Sequence, residues 1–280
     1  LESLTIGLPA ILAGLEQELW LFGMCLLLGC LVGTMAGLLG IGGGLLVVPA
    51  LVVLLPKVGI APELIMHIAL ATSLASIVLT SGASARNHYK LGNIDFSVVK
   101  SLAPGVIIGG LGGSVVAELV PTELLPRIFA IIVLLLACQM LASMRFSGQR
   151  PLPSAAGMFG SGSLIGVVSS LAGIGGGSLT VPYLSWHGME MRRAIGSAAF
   201  SGALIAVAGM SGFIVAGVGT ASLPAFSLGY VYLPALFGIV LTSMYTTRFG
   251  AALVSKLPTL VLKKIFAVFL LFVSIRMFLG

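Results

Sequence analysis

The sequence predicts an all-α polytopic membrane protein made of two inverted-topology repeats. Each repeat is expected to hold a glycine-broken helix pair, re-entrant or kinked, followed by three transmembrane helices. Three observations predict this: a chain too poor in charge to build a solvated surface, apolar runs of membrane length, and a five-residue glycine string that occurs twice.

Hydrophobic residues make up 58% of the 280 positions and charged residues only 8%, with a mean hydropathy of +1.18. A soluble domain averages about a quarter charged residues. The apolar runs recur at the roughly 20 residues that a helix needs to cross a hydrocarbon core about 30 Å thick. Short alternating segments of the kind that build a membrane β-barrel do not occur.

The first element is an apolar segment over 19–39, too long and too acidic in front (Glu2, Glu16, Glu18) for a cleaved signal peptide. It runs into Gly40-Ile41-Gly42-Gly43-Gly44, after which a short apolar piece over 44–56 contains Pro49. Long apolar segments follow at 64–83, 97–119 and 125–144. A polar stretch over 145–153, with Arg145, Arg150 and two prolines, then separates residues 1–148 from 149–280. The second half repeats the order: 156–172, a second Gly173-Ile174-Gly175-Gly176-Gly177, a short piece over 177–187 with Pro182, and segments at 194–216, 232–255 and 260–279. Gly40 to Gly173 and Pro49 to Pro182 are both 133 positions apart. Ala69–Ser73 is echoed by Ala194–Ala198, and Gly92–Asp95 by Gly229–Tyr232. Matched order and spacing mark a duplication.

Charge chooses the topology. If each broken pair leaves the membrane on the side it entered, ten cations collect on one face: Arg86, Lys90, Lys100, Arg145, Arg150, Arg192, Arg193, Lys256, Lys263 and Lys264. Only Lys57, Arg127 and Arg276 face the other way. Eight plain helices in two parallel halves would split them seven to six. The positive-inside rule therefore selects the first arrangement, with both termini outside. An odd number of crossings per half turns the second half upside down, the layout of many secondary transporters.

A helix restarting at Gly44 or Gly177 aims free N–H groups and its positive dipole end at the break. Irregular backbone at membrane depth is tolerated only inside protein or beside water. Gly42, Gly43 and Gly44, with Gly175, Gly176 and Gly177, are accordingly the expected anion cradle. Packing is the plainer role for glycine in a membrane helix. Thr72, Ser73 and Ser76, with Ser197 and Ser201 in comparable places, offer hydroxyls either to an anion or back to their own helices. Arg248 follows an uncharged stretch over 194–247. It either faces a cavity or snorkels toward the interface near Lys256. Arg86, His88 and Lys90 are expected in a cytoplasmic loop after the segment at 64–83, where they either gather anions or only set topology.

Other chemistries are not encoded. Cys25, Cys30 and Cys138 lack metal-ligand spacing, and no nucleotide-binding βαβ unit surrounds either glycine string. No catalytic constellation is present, and no cofactor or nucleic-acid partner is expected. All eight acidic residues lie outside the apolar cores, so an obvious intramembrane proton relay is missing.

The doubled Gly-Ile-Gly-Gly-Gly with its Val-Pro, Ala71-Thr72-Ser73-Leu74, and His88 ahead of Leu91-Gly92-Asn93-Ile94-Asp95 resemble the TauE/SafE sulfite-exporter family over residues 20–280. The resemblance implies transport of sulfite, sulfoacetate or related sulfonates, commonly out of the bacterial cytoplasm across the inner membrane. The second half departs from the pattern at Gly196-Ser197-Ala198 and has no counterpart of His88. The expected function is a secondary transporter or facilitator of small sulfur-containing anions. Its rivals are an ion-coupled importer of organosulfur compounds and a non-transporting membrane partner of a sulfur-metabolising enzyme.

Overall fold

A computed structural model describes residues 2–39, 43–141, 151–220, 222–254 and 259–279. Gly42, Arg145, Arg150, Lys256 and the boundary at 148/149 lie outside them. The described chain forms ten α-helices and one small hairpin. In order these are α1 (Glu2–Leu39), α2 (Gly44–Leu54) with a 3₁₀ turn Leu55–Val58, α3 (Pro62–Lys90), α4 (Phe96–Leu119) and α5 (Leu125–Leu141). The second half holds α6 (Ala155–Leu171), α7 (Gly177–Trp186), α8 (Met191–Gly217), β1 (Ser227–Leu228), β2 (Val231–Tyr232), α9 (Leu233–Val254) and α10 (Thr259–Leu279). The protein is an all-α polytopic membrane protein. Among the described residues, four helices are long and apolar enough to cross a bilayer by length and composition: Glu16–Leu38, Pro62–Lys90, Phe96–Leu119 and Met191–Gly217.

Local chemistry sets the ends. Pro62 opens α3 at its first turn, where a missing N–H costs nothing. The Asp95 carboxylate caps α4 by accepting from Ser97 and Val98 N–H, and Ser154 caps α6 by accepting from Gly157 N–H. α1 begins well before the expected 19, because 2–18 is rich in the strong helix formers Leu, Ala, Glu and Gln.

Glycine faces set which helices touch. α1 meets α9 through Gly29 and Gly33, where an added methyl would lie 2.3 Å from the Ile239 carbonyl oxygen and 2.4 Å from that of Ser243. α4 meets α6 in the same way, Gly105 on Phe159 and Gly109 on Ser163. Lipid gives helices no hydrophobic reason to associate, so backbone approach at small residues carries the packing. The two pairings cross the chain's midpoint: α1 packs on α9, and α4 packs on α6.

The same contacts give directions. Gly29 faces Thr242 and Gly33 faces Thr246, so α1 and α9 run parallel; Gly105 against Phe159 and Gly113 against Ser170 make α4 and α6 parallel. The counterparts α3 and α8 run antiparallel, His67 lying beside Phe213 and Asn93 against Gly196. α3 is central: every residue from Met66 to Ile77 is buried. It runs with α9, since Thr72 is bonded to Tyr232 at one end and Arg86 and Arg248 share a cavity at the other. α1 and α3 thus point the same way, and the short α2 between them carries the chain back.

Candidate functional site

The two glycine breaks meet inside the protein. A methyl on Gly44 would sit 2.3 Å from the Gly173 carbonyl oxygen and 3.2 Å from Ile174 Cα. The Ser73 hydroxyl donates to the Gly173 carbonyl at 2.7 Å and lies 3.5 Å from that of Gly44. Ser76 donates to the Ser73 carbonyl at 2.7 Å. Gly43 and Gly44 are buried, so the described part of the first break is sealed by its neighbours.

The second break borders a cavity of about 620 Å³. Gly175 and Gly177 contribute to its wall together with Ser81, Ser84, Asn87 and Thr247. Arg86, His88, Lys90 and Arg248 also line it, and no carboxylate does among the described residues. Arg86, Lys90 and Arg248 are exposed. A cleft with one sign of charge and low-dielectric walls focuses its field and concentrates counter-ions. The N-terminus of α7 adds a partial positive charge. The basic group of α3 and the arginine of α9, remote in sequence, are therefore on one cavity.

The hydroxyls of Thr72 and Ser197 are elsewhere. Thr72 Oγ1 accepts the Tyr232 N–H at 3.1 Å, and Ser197 Oγ accepts the Asp95 N–H at 3.0 Å. The two bonds are alike: the loop before α9 is fastened to α3, and the loop before α4 to α8. Gly176 holds a left-handed conformation (φ +67°) as the cap of α7 and stands behind the cavity wall.

At the opposite end of α3, the β1–β2 hairpin covers the molecule. His67 and Lys90 are about 35 Å apart along α3 at 1.5 Å per residue. The buried Tyr232 hydroxyl donates to the Glu18 carboxylate. The Tyr230 hydroxyl donates to Glu118 at 3.4 Å and its ring lies 5.0 Å from that of His67. His67 Nε2 sits 3.2 Å from the Ala117 carbonyl and 3.7 Å from the Glu118 carboxylate. Burial raises both tyrosine hydroxyls, and the adjacent carboxylates raise them further, so both stay donors at neutral pH. The cavity is exposed at one end of the helix bundle and the chain is fastened at the other.

The profile of the sulfite exporter TauE/SafE family matches residues 25–277. A probable membrane transporter protein of Haemophilus influenzae is 46% identical over 261 residues, covering 91% of this chain and 97% of its own. One from Methanocaldococcus jannaschii is 27% identical over 87% of this chain and 90% of its own. The probable membrane transporter protein YunE of Bacillus subtilis is 34% identical over 119 residues, 41% of this chain and 40% of its own. No solved structure matches. With the family profile spanning nearly the whole chain and a close relative matched end to end, the protein belongs to the sulfite exporter TauE/SafE family of membrane transporters.

Proposed function

We propose that this chain is a secondary transporter or facilitator of small sulfur-containing anions, sulfite or an organosulfonate such as sulfoacetate. It exports them across the bacterial inner membrane by alternating access. The observation that carries the proposal is the cavity ringed by Arg86, His88, Lys90 and Arg248, free of carboxylates among the described residues and floored by the second glycine break. Anions collect at the basic rim. A planar guanidinium at Arg248 gives an oxyanion two parallel N–H bonds, which lysine cannot reproduce. The backbone of Gly175–Gly177 at the start of α7 receives the charge. The described part of the first break, Gly43 and Gly44 with Ser73, hinges against it.

The cavity end is proposed to face the cytoplasm, with both termini outside. The cation distribution and the antiparallel α3 and α8 support two inverted repeats, residues 1–148 and 149–280, as the units that rock. An inside-negative potential favours anion efflux by about 2.3 kcal/mol per charge per 100 mV, so export needs no coupling ion. Calorimetry or thermal shift of purified protein against sulfite, sulfate, thiosulfate, taurine and sulfoacetate tests the reading. Binding of sulfite or sulfoacetate above sulfate is expected, and indifference to the whole panel would sink it.

A further inference from the structure

The two breaks share a sequence but not their surroundings. In the first half, α2 opens Gly44-Leu45-Leu46-Val47, and Leu45 and Val47 are buried apolar residues. In the second, 133 positions on, Ser178 and Thr180 replace Leu45 and Val47. The hydroxyl oxygens of Ser178 and Thr180 are buried and have no hydrogen-bond partner among the described residues. The same holds for Ser201 of α8, whereas its counterpart Ser76 is bonded to the Ser73 carbonyl. Thr180 and Ser201 are both 0% exposed. Ser and Thr in helices ordinarily return their hydroxyl to a carbonyl three or four residues back. Buried polar groups are nearly always paired, and an unpaired one calls for an explanation.

These hydroxyls border the start of one helix. The Thr180 side chain leans back over the first turn of α7, its Oγ1 3.5 Å from where a Gly176 Cβ would stand. Gly202, next to Ser201, places its Cα 3.7 Å from the same point, and a methyl on it would collide with the Gly175 carbonyl oxygen. The Gly177 N–H is spent on the Gly175 carbonyl, and those of Leu179 and Thr180 on Gly176. The N–H groups of Gly175, Gly176 and Ser178 find no acceptor among the described residues. Unspent backbone donors at a helix N-terminus, next to unspent hydroxyls, are complementary to a group that only accepts hydrogen bonds and carries negative charge.

We propose that Thr180 and Ser201 complete an oxyanion-binding site at the N-terminus of α7, so that the second glycine break binds the anion and the first is structural. The site takes a head group with several acceptor oxygens on one centre, as in sulfite or a sulfonate. It rests on the anion-transport reading and deepens it. The free protein holds the hydroxyls unpaired, and the anion enters from the cavity at Gly175 and Gly177 to satisfy them.

Calorimetric titration of the full-length purified protein with sulfite and sulfoacetate, together with melting of the anion-free protein, tests it. Thr180→Val and Ser201→Ala should each weaken binding about tenfold or more, consistent with loss of a hydrogen bond to a charged partner, while Thr180→Ser stays within about threefold of wild type. The anion-free variants should melt at or above the wild-type temperature, because each removes an unpaired buried hydroxyl. Hydroxyls with a structural role would lower melting in step with affinity, and that outcome overturns the proposal. Wild-type affinity in both variants and in their double overturns it too while leaving the transport reading intact. A wild-type protein that binds neither anion overturns both.

Discussion

At the scale of single residues, the proposed site divides into charges that would attract an anion and backbone that would receive it. Arg248 was legible in sequence, because one cation after more than fifty uncharged positions (194–247) demands a cavity or an interface. It lines the cavity. If its fork holds the anion, Arg248→Lys should weaken sulfite binding about tenfold and Arg248→Gln nearly abolish it, as titration of both variants would reveal. Equal affinity in all three would remove Arg248 from the site. Gly176→Val faces a different obstacle: its left-handed φ and the Ile205 side chain 2.5 Å from the added Cβ leave no room for a β-branched residue. Sulfite transport should collapse in this variant while the protein still inserts. The bonds of Thr72 and Ser197 were not legible, since a hydroxyl's sequence position does not say whether its neighbour is its own helix, an anion or a loop from the other half.

At the scale of elements, most helices were readable almost to their ends because length, apolar content and glycine punctuation agree; α1, which starts at Glu2, and α3, which runs on to Lys90, extend well past the expected 19–39 and 64–83. Expected 97–119 became Phe96–Leu119, and expected 177–187 became Gly177–Trp186. The hairpin was not readable. Its strands are two residues each, too short to show an alternation, and Gly229 (φ +54°) merely resembles the glycine of the matched loop at 92. Yet this hairpin supplies Tyr230 and Tyr232, which tie α9 to α1, α3 and α4. Tyr232→Phe keeps the buried ring and removes only the donor to Glu18. A loss of about 1 kcal/mol is expected, a fall in melting temperature of a few degrees at this chain length. A fall of ten degrees or more would mean that the ring itself had been displaced.

At the scale of the whole molecule, the antiparallel run of α3 and α8 follows from residue contacts, while the side each end faces rests on charge. Single cysteines near Asn87 and Pro151 should react with a membrane-impermeant reagent only from the cytoplasm, and one near Glu123 only from outside. Labelling of Asn87 from outside would invert the orientation and point the basic cavity at the wrong compartment for export.

In the proposed function, this cavity passes a sulfur oxyanion down the membrane potential. Efflux of radiolabelled sulfite from proteoliposomes, with an inside-negative potential set by potassium and valinomycin, measures it directly. Wild-type protein should release sulfite faster as the potential grows and without a sodium or proton gradient, and Arg248→Gln should fall to the rate of empty liposomes. Efflux equal to that of empty liposomes at every potential, or flux that appears only with an imposed sodium or proton gradient, would contradict the account.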